Sequence, residues 1–330
     1  MSDELRSLRS VFSDIVKSYS FLGDSPFGPI SIKHLGNLEL AEIDYFYNLT
    51  LNDAIKKGIP NYESKVESLV EDGLWSRDDE TKISEYKETA SQYESNRDSQ
   101  FLKSKRAMWA KELANIKDEI YNLELRKQSI LGDYAEGFAT KRSNEMHILL
   151  SFYSGADITK RLFSQESFNQ LDDAEIKSLF TIFQGYTDKF NQGSIKKIAL
   201  SNFFLNMFSL TSENIYEFYG KPVVNLTFYQ IDLFGWGKHF KQILSQFGSK
   251  IPPNIMDDPN KILEYVELNK NYQEAFPEEG GEGGGMSLMG ASKEDYEVLG
   301  IKAEGNKKFA DALKKKGKLS LDDIMKLSGE

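Results

Sequence analysis

The feature that most constrains the fold is a long stretch without helix breakers. Residues 77–131 contain neither glycine nor proline and are rich in Glu, Lys, Arg, Ser and Gln. Apolar side chains recur in it at steps of three and four, with Lys127 interrupting one core position. That spacing is typical of helices packed as in a coiled coil. The recurring positions are Ile83, Tyr86, Ala90, Tyr93, Trp109, Leu113, Ile116, Ile120, Leu123 and Ile130.

The segment Ser95-Asn96-Arg97-Asp98-Ser99 breaks this apolar register with residues that favour turns and caps. It predicts two helices folded back as an antiparallel hairpin arm over 77–136. The competing prediction, one continuous helix, would be a rod of roughly 80 Å at 1.5 Å per residue.

Short coiled-coil segments often contact other proteins, so Trp109, Ile116 and Leu123 are candidate partner-binding residues. Two alternatives stay open for this arm. It could pack on its own domain, or it could mediate self-association.

A second constraint is the aromatic density of residues 201–247, which predicts either the main core or a contact surface. We assign it to a helical body over 137–276, in which Tyr219 and Trp236 are candidate partner-binding residues. Gly235 and Gly237 fall inside its last long helix, where each costs about 1 kcal/mol relative to Ala. Their position beside Trp236 predicts a close helix crossing, with a binding pocket as the less favoured alternative.

The N-terminal region, 1–76, is predicted to be helical with one short β-strand. Leu5, Leu8, Phe12, Ile15 and Val16 recur at helical spacing, and residues 29–35 alternate apolar and polar side chains. Trp75 is expected to pack back onto the preceding helix.

The C-terminal part is predicted to be a flexible Gly-rich linker, 277–291, followed by a docking tail, 292–330. Ser320 and Asp323 are predicted to form a capping box at the start of a short amphipathic helix in the tail. Its apolar face suits docking into a groove, as in helix-in-groove ligands. The candidate partner-binding residues on that face are Leu321, Ile324, Met325 and Leu327. The predicted fold class is therefore mainly α: a multi-helix body, a long hairpin arm, one short strand and a flexible tail.

Composition restricts the possible functions. The net charge of −10 disfavours binding to a nucleic-acid backbone, and the absence of cysteine excludes disulfides, thiolate nucleophiles and thiolate zinc sites. No apolar run approaches the roughly 18 residues that a membrane span needs. The N-terminus has no signal-peptide pattern. We therefore expect neither a nucleic-acid nor a membrane partner.

The sequence contains no catalytic, cofactor or metal motif. Its histidines, His34, His147 and His239, lack the spacing of metal-binding helices, and adjacent acid pairs fall at helix starts or in linkers. The glycines at 280–285 are not a phosphate loop, because no Lys-Ser or Lys-Thr follows them and no strand precedes them. We therefore predict no enzymatic activity and no cofactor.

Two stretches and the overall organisation carry a family resemblance. Residues 27–35 followed by a helix, and a helical body followed by a Gly-rich joint and a small tail, resemble phage tail assembly chaperones. Residues 219–224 through Tyr229-Gln230 resemble a signature of large phage virion proteins. The helical hairpin departs from small tail chaperones.

The resemblance implies assembly work in the host cytoplasm, in which the protein holds a phage tail or tape-measure protein during virion morphogenesis. A structural tail or baseplate component, located in the virion, is the alternative. A third hypothesis, an enzyme with a site near His239, would need a polar cluster that the sequence does not contain.

Overall fold

The computed structural model describes residues 3–100, 102–156 and 158–275. The predicted linker, 277–291, and the predicted tail, 292–330, lie outside the described residues. The fold is mainly α, as predicted. The α-helices are α1 Asp3–Lys17, α2 Asn37–Lys56, α3 Tyr62–Glu71, α4 Arg77–Asp98, α5 Lys103–Leu131, α6 Ala135–Ser151, α7 Gln165–Phe168, α8 Asp173–Thr187, α9 Gln192–Leu200, α10 Asn202–Leu210, α11 Ile215–Tyr219, α12 Phe228–Phe247 and α13 Pro259–Ala275.

The described residues form two compact units. The first comprises residues 3–68 and Gly132–Pro259, and the second comprises Leu69–Leu131 and residues 260–275. Residues 69–76 and 260–275 therefore group with the hairpin, whereas sequence placed them in the N-terminal region and in the aromatic body.

The second unit contains the predicted antiparallel hairpin, formed by α4 and α5. Ion pairs join the two helices in antiparallel register: Lys87 to Glu124 at 2.7 Å and Lys117 to Glu94 at 2.6 Å. Helix α4 ends at Asp98 and α5 begins at Lys103, so the first helix stops within the segment in which the break is predicted.

Trp75 and Lys127 share one environment at the base of this hairpin. Trp75 is buried, its indole N–H donates to Glu80 at 2.7 Å, and the Arg126 guanidinium lies 4.8 Å from the ring centroid. Lys127, which interrupts the apolar register, is buried and pairs with the same Glu80 carboxylate at 2.9 Å. The lysine at a core position is thus accommodated by an acidic partner on the facing helix.

The first unit contains a three-stranded antiparallel sheet of β1 Tyr19–Leu22, β2 Ile30–Lys33 and β3 Phe152–Ser154, in that order. The predicted strand near the N-terminus is the central one. Tyr19 pairs with Lys33 on one side, and Ile32 pairs with Phe152 on the other. Sequence did not predict β1 and β3, because neither strand lies in a run that alternates apolar and polar residues as residues 29–35 do.

The aromatic stretch forms much of the core of the first unit. Phe204, Phe208 and Phe240 are fully buried. The predicted close crossing occurs at Gly237, where a β-carbon would lie 2.5 Å from Cε1 of Phe204. The neighbouring Gly235 has open space around it and is exposed, so the crossing explains only one of the two glycines.

Candidate functional site

The most distinctive feature of the first unit is a pair of cavities that share Lys33 and His34 in their walls. One has a volume of about 230 Å³, and its lining includes Lys17, Lys33, Lys221 and Glu39; we call it the lysine cavity. The other has a volume of about 220 Å³, and its lining includes His147, Phe183, Tyr186, Phe228 and Tyr229; we call it the aromatic cavity. Both open beside the end of the central strand.

Three short connections bring the lysines together. Lys17 is the last residue of α1, and the chain turns into β1 through Ser18, whose φ of 69° is unusual for a residue with a side chain. Lys33 ends β2, and its neighbour His34 donates its backbone N–H to the Ser18 carbonyl at 2.8 Å. Lys221 follows Gly220, which ends α11 in the left-handed region that favours glycine.

The N-terminus of α2 also lines the lysine cavity. Gly36 precedes the helix in extended conformation, and its N–H donates to the Glu39 carboxylate at 3.0 Å. Gly36 also forms an isolated antiparallel bridge with Thr227, and its N–H group places the Glu39 carboxylate at the first turn of α2. That carboxylate puts a negative charge at the positive end of the helix.

A buried glutamine connects the floor of this cavity to three elements. Gln230 is fully buried; its side-chain amide donates to the Ile15 carbonyl at 3.0 Å, the Val16 carbonyl at 3.1 Å and the Ser18 hydroxyl at 3.0 Å. Its side-chain oxygen accepts the Thr227 N–H at 3.0 Å, which completes a capping box at the start of α12. The network fixes the end of α1 against α12.

Lys221 and Tyr219 attach to the same network. The Lys221 ammonium donates to the Ser18 hydroxyl at 3.1 Å, and the Tyr219 hydroxyl donates to the Gln230 carbonyl at 3.0 Å. Burial raises the pKa of Tyr219, so this hydroxyl stays a neutral donor. The hydrogen bonds among Ser18, Gln230 and Tyr219 thereby hold the Lys221 ammonium at the cavity.

The electrostatics of the lysine cavity are positive in a chain of net charge −10. Three lysines face one carboxylate, Glu39, which is paired with Lys33. Burial works to raise the pKa of Glu39, but hydrogen bonds from Lys33 and from backbone N–H groups outweigh it and lower that pKa. Glu39 therefore stays ionised and offsets one of the three positive charges.

His34 lies in the wall between the cavities and is only 3% exposed. Its ring packs against Phe190 at 4.7 Å, Tyr229 at 4.9 Å and Tyr186 at 5.7 Å between centroids. Neither ring nitrogen has a hydrogen-bond partner within the described part of the chain. Burial lowers the pKa of His34 to about 3, so the ring is neutral at physiological pH.

An exposed set of apolar side chains surrounds the cavity mouths. Leu38 and Val224 line the lysine cavity, Phe228 lines the aromatic cavity, and Val223 is next to Val224. We call these four residues the apolar rim; each is between 53% and 66% exposed. Exposed apolar residues grouped at cavity mouths are typical of sites where other molecules bind.

The predicted partner-binding residues are distributed over both units. In the first unit, Tyr219 lies next to the lysine cavity and is hydrogen-bonded to Gln230. Trp236 is half-buried, and its indole N–H donates to the Gln192 side chain at 3.1 Å. The Lys196 ammonium lies 4.5 Å from the centroid of the same ring. In the second, Trp109 is half-buried against Tyr93 at 5.2 Å, and Ile116 and Leu123 are half-buried on α5. The tail positions, Leu321, Ile324, Met325 and Leu327, are outside the described residues.

Sequence reasoning missed the three cavity lysines and Gln230. The lysines are separated by long stretches of chain, and only the tertiary fold brings them together. Gln230 did carry a local signal, since it follows the capping residue Thr227 by three positions and so completes a capping box.

No family model matches this chain, and no curated protein or solved structure is significantly similar to it. Across the described residues, no cluster of three or more His, Asp or Glu side chains is arranged to hold a metal ion. No helix within residues 3–100, 102–156 and 158–275 has the length and hydrophobicity needed to cross a membrane.

Proposed function

We propose that this protein is a non-enzymatic assembly factor for phage tails, which binds a tail or tape-measure protein in the host cytoplasm during virion morphogenesis. The single observation that carries the binding function is the apolar rim around the two cavities of the first unit. Exposed apolar residues next to a cavity are a typical site for capturing a segment of another protein. The assignment to tail assembly is supported by the resemblance of residues 27–35 to phage tail assembly chaperones and of residues 219–230 to large phage virion proteins.

The hairpin of the second unit is a second contact surface consistent with this function. The interface between α4 and α5 includes half-buried residues such as Trp109 and Ile116, whereas Met108, Tyr121 and Leu125 are exposed on α5. We infer that a partner reaching the hairpin meets these exposed residues first.

The decisive experiment is a pull-down with the full-length chain from phage-infected cells, with captured proteins identified by mass spectrometry. The test variant is Leu38→Ser/Phe228→Ser, which removes two residues of the apolar rim. The matched control is Met207→Ser/Leu210→Ser, because these residues are also exposed and apolar but line neither cavity. We expect a tail or tape-measure protein with the wild type and the control, and its loss with the rim variant.

Two results would contradict the proposal. Capture of no virion protein by the wild type would remove the assembly function, and equal capture by the rim variant would remove the rim as the binding surface. Mass spectrometry of purified particles separates the proposed function from its alternative, because an assembly factor is absent from the mature virion and a structural tail or baseplate component is present.

A further inference from the structure

We propose that the lysine cavity receives the carboxylate of an Asp or Glu side chain from the partner, while apolar residues next to that acid cover the apolar rim. The inference rests on the proposed function and specifies the chemistry of the segment that is bound. The occupant is therefore an acidic residue within an apolar protein segment.

Charge complementarity is the first argument. The cavity contains Lys17, Lys33 and Lys221 but only one carboxylate, Glu39, which already pairs with Lys33. Lys17 is exposed, and its charge also acts on the half-buried Asp14 carboxylate, which does not line the cavity. Lys221 is half-buried and donates one hydrogen bond, to Ser18. An ammonium group has three donors, so Lys221 keeps donors for an incoming carboxylate.

The polar groups around the lysines provide the second argument. Asn37 and Leu38, the first two residues of the twenty-residue helix α2, line the cavity at the positive end of that helix. His34, which is more than nine-tenths buried, lines the same cavity, and neither of its ring nitrogens has a hydrogen-bond partner within the described part of the chain. A carboxylate is the group that complements both the positive end of a helix and lysine side chains.

The size of the cavity limits what can enter it. Its volume of about 230 Å³ is below the roughly 300–1,000 Å³ of sites that enclose a small molecule. It exceeds several times the roughly 30 Å³ that one water molecule occupies in the liquid. One acidic side chain fits this range, and the exposed rim residues Leu38 and Val224 are placed to contact its neighbours in the partner.

The site is held in place before any ligand arrives. Ser18 accepts hydrogen bonds from both Lys221 and Gln230, and Gln230 is itself fixed by the end of α1 and the start of α12. A preorganised cation loses little side-chain freedom on binding, which favours affinity.

The test is a selection of short random peptides displayed on yeast, using the labelled full-length chain. We expect the enriched peptides to contain Asp or Glu next to Leu, Ile, Val, Phe or Met. Their affinity should fall by about tenfold or more for Lys17→Gln/Lys221→Gln, which removes two of the facing cations. The matched control is Lys56→Gln/Lys57→Gln, an equal charge change at the exposed C-terminal end of α2, which should bind as the wild type does.

A second variant guards against misfolding. Lys17→Gln alone removes one charge from an exposed side chain that forms no ion pair with the described residues, and it should weaken the same peptides with little change in melting temperature. The inference is wrong if the enriched peptides contain neither Asp nor Glu. It is also wrong if the cavity variants bind the peptides as tightly as the control variant does. Stabilisation by inorganic phosphate that depends on Lys17 and Lys221, without any acidic peptide, would overturn it in favour of a free oxyanion.

The outcomes for this site and for the proposed function can be distinguished. If the lysine variants still capture the phage protein while the rim variant does not, the function stands and the carboxylate site is wrong. If no phage protein is captured but acidic peptides bind and require Lys17 and Lys221, the carboxylate site stands and the assembly function is wrong.

Discussion

The ring of Phe204 occupies the space in which a side chain at position 237 would begin. A β-carbon on Gly237 would lie 2.5 Å from Cε1 and 2.9 Å from Cζ of this ring, and both residues are buried. Helices α10 and α12 can therefore approach this closely only because position 237 carries no side chain.

We expect Gly237→Ala to destabilise the protein by about 1–3 kcal/mol, because overpacking a filled core costs more than the helix propensity of alanine returns. The neighbouring Gly235 provides the matched control, since it is exposed on the same helix with nothing within 4 Å of its β-carbon position. Gly235→Ala should stabilise by about 0.5–1 kcal/mol. Urea unfolding of the two variants measures both effects, and a shift of the same sign for both would refute the role of Phe204.

His34 should make the protein sensitive to acid. Burial lowers its pKa from 6.5 to about 3 in the folded chain. Above pH 6.5 the ring is neutral in both the folded and the unfolded chain, so it adds no pH dependence to the free energy of unfolding. As the pH falls below 6.5, only the unfolded chain binds the proton, so stability decreases by about 1.4 kcal/mol per pH unit until pH 3.

His34→Leu should remove this contribution and leave a flatter decline of stability between pH 6.5 and pH 3. The control is His239→Leu, because His239 is exposed. Burial lowers the pKa of His239 as well, but far less than that of His34, so this variant should flatten the profile much less than His34→Leu does. Denaturant midpoints measured at several pH values test the prediction. Parallel profiles for wild type and His34→Leu would show that His34 is not the group that titrates.

Most of the helical architecture could be predicted from sequence, because helices carry their signals locally. The steps of three and four in residues 77–131 predict the hairpin, and Thr227 and Asp172 are of residue types that cap helices. The structure confirms both caps, with Thr227 accepting the Gln230 N–H at 3.3 Å and Asp172 accepting the Glu175 N–H at 2.8 Å. Each signal depends on neighbours within one turn of helix.

The sheet partners and the cavities could not be predicted, because they depend on pairings between distant residues. Strand β2 pairs with β3 across more than a hundred residues, and Lys17, Lys33 and Lys221 meet only through the folded backbone. The sequence around each lysine therefore gives no indication that the three side chains are neighbours in the folded protein. Gly237 is intermediate: its position in a helix predicted a close approach, but the partner ring could not be named.

Gln230 should be important for stability although it is polar. Gln230→Leu would leave the Thr227 N–H and the Val16 carbonyl without the partner they have in the folded chain. Each buried group left unsatisfied costs about 1–3 kcal/mol, so we expect a total loss of about 2–4 kcal/mol. Gln242→Leu, an exposed change on the same helix, should stay within about 0.5 kcal/mol of the wild type in urea unfolding. Equal stabilities for the two variants would contradict the proposed network.

The hairpin offers a prediction about packing between α4 and α5. Leu113 is 4% exposed on α5, whereas Tyr121, on the same helix, is 63% exposed. Leu113→Asp would bury a charge without an ion-pair partner and should destabilise the hairpin by about 3–5 kcal/mol. Ile120→Asp, at a half-buried position, should destabilise the hairpin by somewhat less. Tyr121→Asp introduces the same charge at the surface and should cost about 0.5 kcal/mol or less.

Hydrogen–deuterium exchange over residues 77–131 measures this difference directly, because amides in α4 and α5 exchange through opening of the pair. The Leu113→Asp variant should exchange faster throughout both helices, and Tyr121→Asp should match the wild type. Faster exchange confined to α5 would mean that α4 keeps its structure without packing against α5. Since α4 has a highly polar sequence and isolated helices of such length are marginal in water, we expect both helices to lose protection together.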